Sequence, residues 1–129
     1  MTMLRIDTNS PIPVYRQIVD GLRILLVDGE LNPGDQLPPV RRLALDLGIH
    51  FNTVAEAYRT LAEEGWLDIG KRTGAKVVAR AMPAEAAPQT VEAFERRLLE
   101  LAAEAQARGL ARGQIASELR RLAGTMERS

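Results

Sequence analysis

The sequence VRRLALDLGIHFNTVAEAYRTLAEEG, residues 40–65, contains two short apolar repeats separated by a tight connection. Each repeat has the three- and four-residue spacing of an amphipathic helix, and the repeats end at Gly48 and Gly65. The repeating residues are Val40, Leu43, Ala44 and Leu47 in the first and Val54, Tyr58 and Leu61 in the second. Two short helices joined by a few residues are typical of a helix-turn-helix, so we predict that motif here.

A longer amphipathic helix is predicted upstream of this pair, over about residues 12–28. Apolar residues recur there three and four apart, which lays a stripe along one helix face. Gly29 then fits the left-handed position that commonly follows a helix, and Asn32-Pro33-Gly34-Asp35 is typical of a turn. We therefore expect a loop, ending near Pro39, between this helix and the helix-turn-helix.

A β-hairpin is predicted directly downstream. Residues 66–69 alternate apolar and polar side chains, and residues 75–79 carry β-branched valines. Gly70 and Gly74 interrupt the pattern between the two strands. A two-stranded ribbon after a helix-turn-helix is the wing of a winged helix, so we predict a winged helix-turn-helix domain over residues 11–79.

The remainder of the chain is predicted to be a linker and a helical tail. Residues 80–89 are rich in proline and alanine without apolar periodicity, which is typical of a linker. Within residues 90–129, Thr90 can cap a helix that ends at Gly109, and a second helix is expected over residues 112–126. Helices this short are marginal alone, so we predict that they form a dimerisation tail with a second copy of the chain. The residues expected at that interface are Phe94, Leu98, Leu101, Ile115, Leu119 and Leu122. The fold class is thus mainly α with a small β-hairpin.

Composition excludes several kinds of chemistry. The chain has no cysteine and a single histidine, His50, so thiolate catalysis, cysteine-zinc sites and multi-histidine metal sites are ruled out. No paired carboxylates, nucleophile–base pair or phosphate-cradling glycine loop is recognisable, and we expect neither an enzyme nor a bound metal or cofactor. No apolar run approaches the length of a membrane span, and the N-terminus lacks the apolar core of a signal peptide, so a cytoplasmic protein is expected.

The order of these elements and several fixed strings resemble the GntR family of bacterial regulators. The resemblance covers residues 11–79, and the short tail resembles the YtrA-type subgroup. The matching strings are PVYRQI at 13–18, GEL-PGD-LP at 29–38, R-LA--LGI at 41–49 and NTV--AY--L--EG-L at 52–67. Larger relatives carry a ligand-binding domain for which this chain lacks room, so any effector site would have to form at the dimer interface.

The resemblance implies that the second helix of the motif enters the major groove of DNA. It assigns DNA contacts to Arg41, to Asn52 and Thr53 at the start of that helix, and to the wing tip. The full set of expected DNA-binding residues is Arg41, His50, Phe51, Asn52, Thr53, Tyr58, Arg59, Lys71, Arg72, Thr73 and Gly74. Asparagine suits this role because its amide pairs bidentately with adenine.

Some of these positions have two interpretations. His50 either contacts phosphate or is an ordinary polar turn residue. Phe51 either contacts a thymine methyl group or packs before the helix. Tyr58 fits core packing, which would leave only its hydroxyl available. The sequence also departs from the family, with Pro39 in place of a helix-capping serine and Arg72 in place of a wing glycine.

Two functions remain open from the sequence. The first is a regulator, a repressor for instance, that binds a palindromic operator in double-stranded DNA as a homodimer. The alternative is a winged-helix protein-interaction module that dimerises without reading DNA. The alternative is consistent with the net charge, because 17 basic residues balance 17 acidic ones, whereas domains that bind phosphate usually carry a basic surplus.

Overall fold

The computed structural model describes residues 4–70, 74–80 and 87–127. The helices are α1 (Val14–Val27), α2 (Val40–Leu47), α3 (Phe51–Glu63), α4 (Pro88–Ala107) and α5 (Arg112–Glu127), and the strands are β1 (Leu67–Gly70) and β2 (Gly74–Val77). The chain divides into two compact units, with the boundary between residues 81 and 82. The predicted fold class, mainly helical with one hairpin, is confirmed.

The first unit is a winged helix built around α3. Both α1 and α2 pack against α3, and β1 follows its C-terminal end. Ile18 and Leu22 of α1 and Val54 and Leu61 of α3 are fully buried in this core. Burying side chains of this size stabilises a fold by about 1.5–3 kcal/mol each, so α3 is fixed rigidly in the domain.

The hairpin has a third backbone partner that the sequence pattern did not indicate. Strands β1 and β2 pair antiparallel, with Leu67 opposite Val77. On the other edge of β2, the Leu37 N–H donates to the Ala75 carbonyl at 2.9 Å, and the Val77 N–H donates to the Asp35 carbonyl at 2.8 Å. The segment expected to be only a loop therefore covers one edge of the wing, which satisfies backbone groups that an open hairpin would leave unpaired.

The start of α4 differs from the prediction. The helix begins at Pro88, with Ala87 as its N-cap, and not after Thr90. Thr90 lies in the first turn, where its N–H donates to the Ala87 carbonyl at 2.9 Å. The expected threonine cap is therefore wrong. Proline suits the first helical position because its fixed φ is helical and its missing N–H has no partner there anyway.

The second unit consists of α4 and α5. Gly109 adopts a φ of 102° after α4, and the Leu110 N–H donates back to the Ala105 carbonyl at 3.0 Å, which ends the helix. Neither helix has a buried residue. In the part of the chain that the structure describes, no helix combines the length and apolarity needed to cross a membrane.

Candidate nucleic-acid interface

The leading end of α3 is held outward by the connection from α2. Gly48 takes a left-handed conformation, with φ 70° and ψ 34°, and the Ile49 N–H donates to the Ala44 carbonyl at 3.0 Å. Because only two residues separate Gly48 from α3, the second helix must turn sharply away from the first. Val54 and Ala57 are buried on the inner face of α3. Asn52 lies on the outer face of the helix and is exposed.

His50 caps this leading end. It is the N-cap residue of α3, and its Nδ1 accepts a hydrogen bond from the Asn52 N–H at 3.1 Å. An imidazole nitrogen can accept only when it carries no proton, so the cap requires the neutral ring protonated on Nε2. His50 is thus a structural residue of α3, and its outer nitrogen remains a donor at the helix end.

Arg41, His50 and Phe51 form a stacked cluster at the same end. The Phe51 ring stacks with the His50 ring, with 4.8 Å between centroids and 23° between planes. The guanidinium carbon of Arg41 lies over the Phe51 ring, 4.5 Å from its centre. A guanidinium over an aromatic face is attracted by the ring quadrupole, so this contact ties the start of α2 to the start of α3.

Most of the expected DNA-binding residues that the structure describes meet at this end. Arg41, His50, Phe51 and Asn52 are exposed, and Thr53 is half-buried. Arg59 is also exposed and lies about two turns further along the same helix. Gly74 opens β2 with a φ of 76°, a conformation that suits glycine at a hairpin. The expected wing-tip residues Lys71, Arg72 and Thr73 lie outside the described residues.

Comparison with known proteins identifies this arrangement. A family model described as "Bacterial regulatory proteins, gntR family" matches residues 14–77. The transcriptional regulator Rv1152 of Mycobacterium tuberculosis is 39% identical over 88 residues, which cover 65% of this chain and 69% of that protein. The chain belongs to the GntR family.

Two further GntR relatives locate it within the family. The transcriptional repressor YtrA of Bacillus subtilis is 41% identical over 66 residues, and the chain spans only about half of that relative, 51% of its length. The structure of YtrA from Sulfolobus acidocaldarius, described as a GntR-family transcription factor, is 32% identical with a TM-score of 0.55. That likeness covers 95% of this chain and 98% of that one, so it includes the helical tail and assigns the protein to the YtrA type.

Tyr58 is a correction to the expected set. In this GntR domain its side chain is 2% exposed, and its hydroxyl donates to the Pro38 carbonyl at 2.7 Å. Burial also raises the pKa of the phenol well above its usual value. Because both the ring and the hydroxyl are engaged inside the domain, Tyr58 is not at the surface with the other expected residues. Its role is to hold the segment before α2 against α3.

Glu56 is an exposed α3 residue that the sequence analysis missed. It lies four residues after Asn52, so both side chains project from one face of the helix. Helical spacing alone was enough to find it. A carboxylate can accept a hydrogen bond from the amino group of cytosine, so Glu56 is a further candidate residue on this face of α3.

Charge near the interface is partly neutralised. Arg42, next to Arg41, pairs with Asp46 on the exposed side of α2, with 3.3 Å between Nε and Oδ1. Arg41 instead directs its guanidinium toward Phe51. Two adjacent arginines with equal formal charge therefore have different surroundings, and Arg41 is the one that contacts the start of α3.

Proposed function

We propose that this protein is a transcription repressor that binds a palindromic operator as a homodimer, with α3 of each subunit in the major groove. The observation that carries the proposal is the leading turn of α3, where Asn52 is exposed and the guanidinium of Arg41 lies over the adjacent Phe51 ring. We propose that it acts in the cytoplasm, where a bacterial operator would be reached.

Each of these side chains has a definite chemical use at a DNA surface. The amide of Asn52 can pair with the N6 and N7 positions of adenine. The Thr53 hydroxyl offers a short donor to phosphate, and the positive end of the α3 dipole favours a phosphate at the same end. Arg41 supplies a permanent positive charge with donors that suit either phosphate or the O6 and N7 acceptors of guanine.

The wing supplies a second candidate contact. Lys76 is exposed on β2 and follows the hairpin turn by two residues. We propose that Lys76 and the tip residues Lys71, Arg72 and Thr73 lie along the sugar-phosphate backbone or the minor groove, where negative potential is concentrated. Such contacts would position the domain on DNA without specifying sequence.

The proposal of a homodimer is supported by the second unit. The six predicted interface residues all line two adjoining apolar grooves between α4 and α5. Phe94 at 65% and Leu122 at 40% remain exposed there, although they are large apolar side chains. We propose a second copy as the occupant because a two-fold axis brings the same apolar face of two chains together, so that each covers the exposed apolar side chains of the other.

Dimer symmetry predicts the form of the operator. Two recognition helices related by a two-fold axis contact half-sites about 34 Å apart, or one turn of duplex. Repression, as opposed to activation, is supported by a relative, since B. subtilis YtrA is named a repressor. We propose that the bound dimer occludes a promoter.

The function is tested by selecting bound duplexes from a random pool with the full-length protein. We expect enrichment of an inverted repeat, and an association constant that falls linearly on a log–log scale as salt is raised, because phosphate binding releases counterions. Asn52→Ala should lose a base preference within each half-site. Gln89→Ala, which removes an exposed amide at the start of α4, is the matched control and should retain it.

Failure would take a recognisable form. A pool with no enriched sequence, or a duplex affinity indifferent to salt, would contradict DNA recognition and favour a protein-interaction module. Enrichment of single, unrepeated half-sites would retain DNA binding but contradict the dimeric arrangement.

A further inference from the structure

Phe51 is an unusual residue at the leading turn of α3. It is the first residue of the helix and leaves 36% of its surface exposed, although it is large and apolar. The ring does not enter the core of buried side chains. It contacts the His50 ring and the guanidinium of Arg41, and these two polar neighbours hold it at the surface.

The chemistry of the major groove leaves few partners for such a ring. The edges of the bases present hydrogen-bond donors and acceptors at nearly every position, and a phenyl ring satisfies none of them. The exception is the C5-methyl group of thymine, which is the apolar group of the groove. An exposed ring at the helix end that enters the groove therefore matches thymine and mismatches the polar base edges.

We propose that Phe51 is a specificity-determining residue that contacts the C5-methyl group of a thymine, with Arg41 as its positioning residue. The inference rests on the proposed function, because it requires α3 to enter the major groove.

The stacked cluster makes this contact efficient. A free phenylalanine on a surface would lose rotamer freedom on binding, which costs free energy. Here Arg41 and His50 already restrict the ring before DNA arrives. The same stack leaves the Arg41 guanidinium beside the ring, so a polar donor and an apolar surface meet the duplex side by side.

The experiment removes only the methyl group from DNA. Each thymine of a selected operator is replaced in turn by deoxyuridine, which pairs identically but lacks the C5-methyl. At one symmetric pair of positions we expect wild-type affinity to fall about fourfold per half-site, the value of burying one methyl group. Phe51→Ala should bind the thymine and uracil duplexes equally, and Phe51→Leu, which keeps an apolar side chain, should retain part of the discrimination.

Two arginine variants test the positioning role. Arg41→Ala should lower the ratio of thymine to uracil affinity toward one, because the ring is no longer held. Arg42→Ala removes the same charge one residue away and should keep the ratio, since Arg42 pairs with Asp46. The ratio is the informative measurement because a general loss of DNA affinity cancels in it.

The outcomes separate the two proposals. Absence of any selected operator overturns the proposed function and this inference with it. A selected operator whose affinity is unchanged by uracil at every position overturns the inference alone. The same holds if Phe51→Ala discriminates as well as the wild type, because another residue then reads the methyl group.

Discussion

Arg23 in α1 and Glu64, the residue that follows α3, form a two-point ion pair across the first unit. Arg23 Nε donates to Glu64 Oε1 at 3.1 Å, and a second guanidinium nitrogen contacts Oε2. A bidentate pair of this kind fixes orientation as well as distance. It therefore secures the C-terminal end of α3, while the Arg41–Phe51 contact secures its beginning.

This pair predicts a pH-dependent loss of stability. The hydrogen bond from Arg23 holds the pKa of Glu64 below its usual value, against the opposing effect of burial. A carboxyl group with a lowered folded pKa stabilises the fold above its unfolded pKa, and this contribution is lost as the pH falls through the folded pKa. Glu64→Gln should lower the free energy of unfolding by about 1 kcal/mol at neutral pH, since the pair is partly exposed.

The measurement is urea unfolding across pH. The wild-type and Glu64→Gln curves should converge as the pH falls below the lowered pKa of Glu64. Glu63→Gln, which removes an exposed carboxylate one residue earlier, is the control and should follow the wild type. A difference between wild type and Glu64→Gln that persists at the acid end would contradict the ion-pair origin.

The His50 cap predicts a specific pattern of substitutions. His50→Ala leaves the Asn52 N–H without its acceptor. It should lower the free energy of unfolding by about 1 kcal/mol, the usual contribution of an N-cap. His50→Asn restores a capping acceptor and should recover most of that loss. Thermal unfolding monitored by circular dichroism measures both. Equal stability of the two variants would mean that the cap contributes nothing.

The proposed DNA contacts predict losses of operator affinity without losses of stability. Arg41→Ala and Thr53→Ala should each weaken operator binding by about 1–3 kcal/mol. Arg42→Ala is the matched charge control, with a much smaller effect expected because Arg42 pairs with Asp46. Fluorescence anisotropy with a labelled operator gives the affinities, and unfolding curves show whether the fold is intact. Unchanged affinity in both test variants would refute the assignment of these residues.

Tyr58 should behave in the opposite way. Tyr58→Phe removes the hydroxyl that donates to the Pro38 carbonyl and should lower stability by about 0.5–1.5 kcal/mol. Operator affinity, measured well below the unfolding transition, should be unchanged because the side chain is buried. A specific loss of operator affinity in a stably folded variant would return Tyr58 to the DNA interface.

Local sequence patterns predicted the helices but not the contacts between distant segments. The apolar spacing and the glycine after each helix fixed α2 and α3 almost to the residue, because amphipathic periodicity and left-handed glycine are local signals. The pairing of residues 34–37 with β2 joins segments about 40 residues apart. Pro33 and Gly34 give this segment the local pattern of a turn, so the sequence did not indicate its pairing with β2.

In the candidate site too, the sequence predicted the positions of single residues but not the contacts between residues on different helices. The resemblance to the GntR family assigns Asn52 to the interface, and helical phase predicts that Tyr58, four residues after Val54, is inward. The stack of Arg41 on Phe51 was not predictable, since the two residues lie on different helices and a cation–π contact has no sequence signature. The N-cap role of His50 was also missed because histidine is not among the preferred capping residues.

If the apolar grooves of the second unit form the proposed dimer interface, a single charge introduced there should dissociate the dimer. Leu119 lines both grooves and is 38% exposed. Leu119→Glu would place a carboxylate in the proposed interface, where losing water is costly, so the protein should sediment as a monomer. Operator affinity should fall at least tenfold, because two linked half-site contacts become one.

The control for this variant is Leu99→Glu. Leu99 lies on α4 and is 69% exposed, but it does not line either groove. The Leu99→Glu variant should remain a dimer in sedimentation velocity and keep operator affinity, since the added charge would face water. If both variants remain dimeric, the interface lies outside the grooves. If both dissociate, the contact extends around α4, and the assignment of the grooves as the dimer surface is wrong.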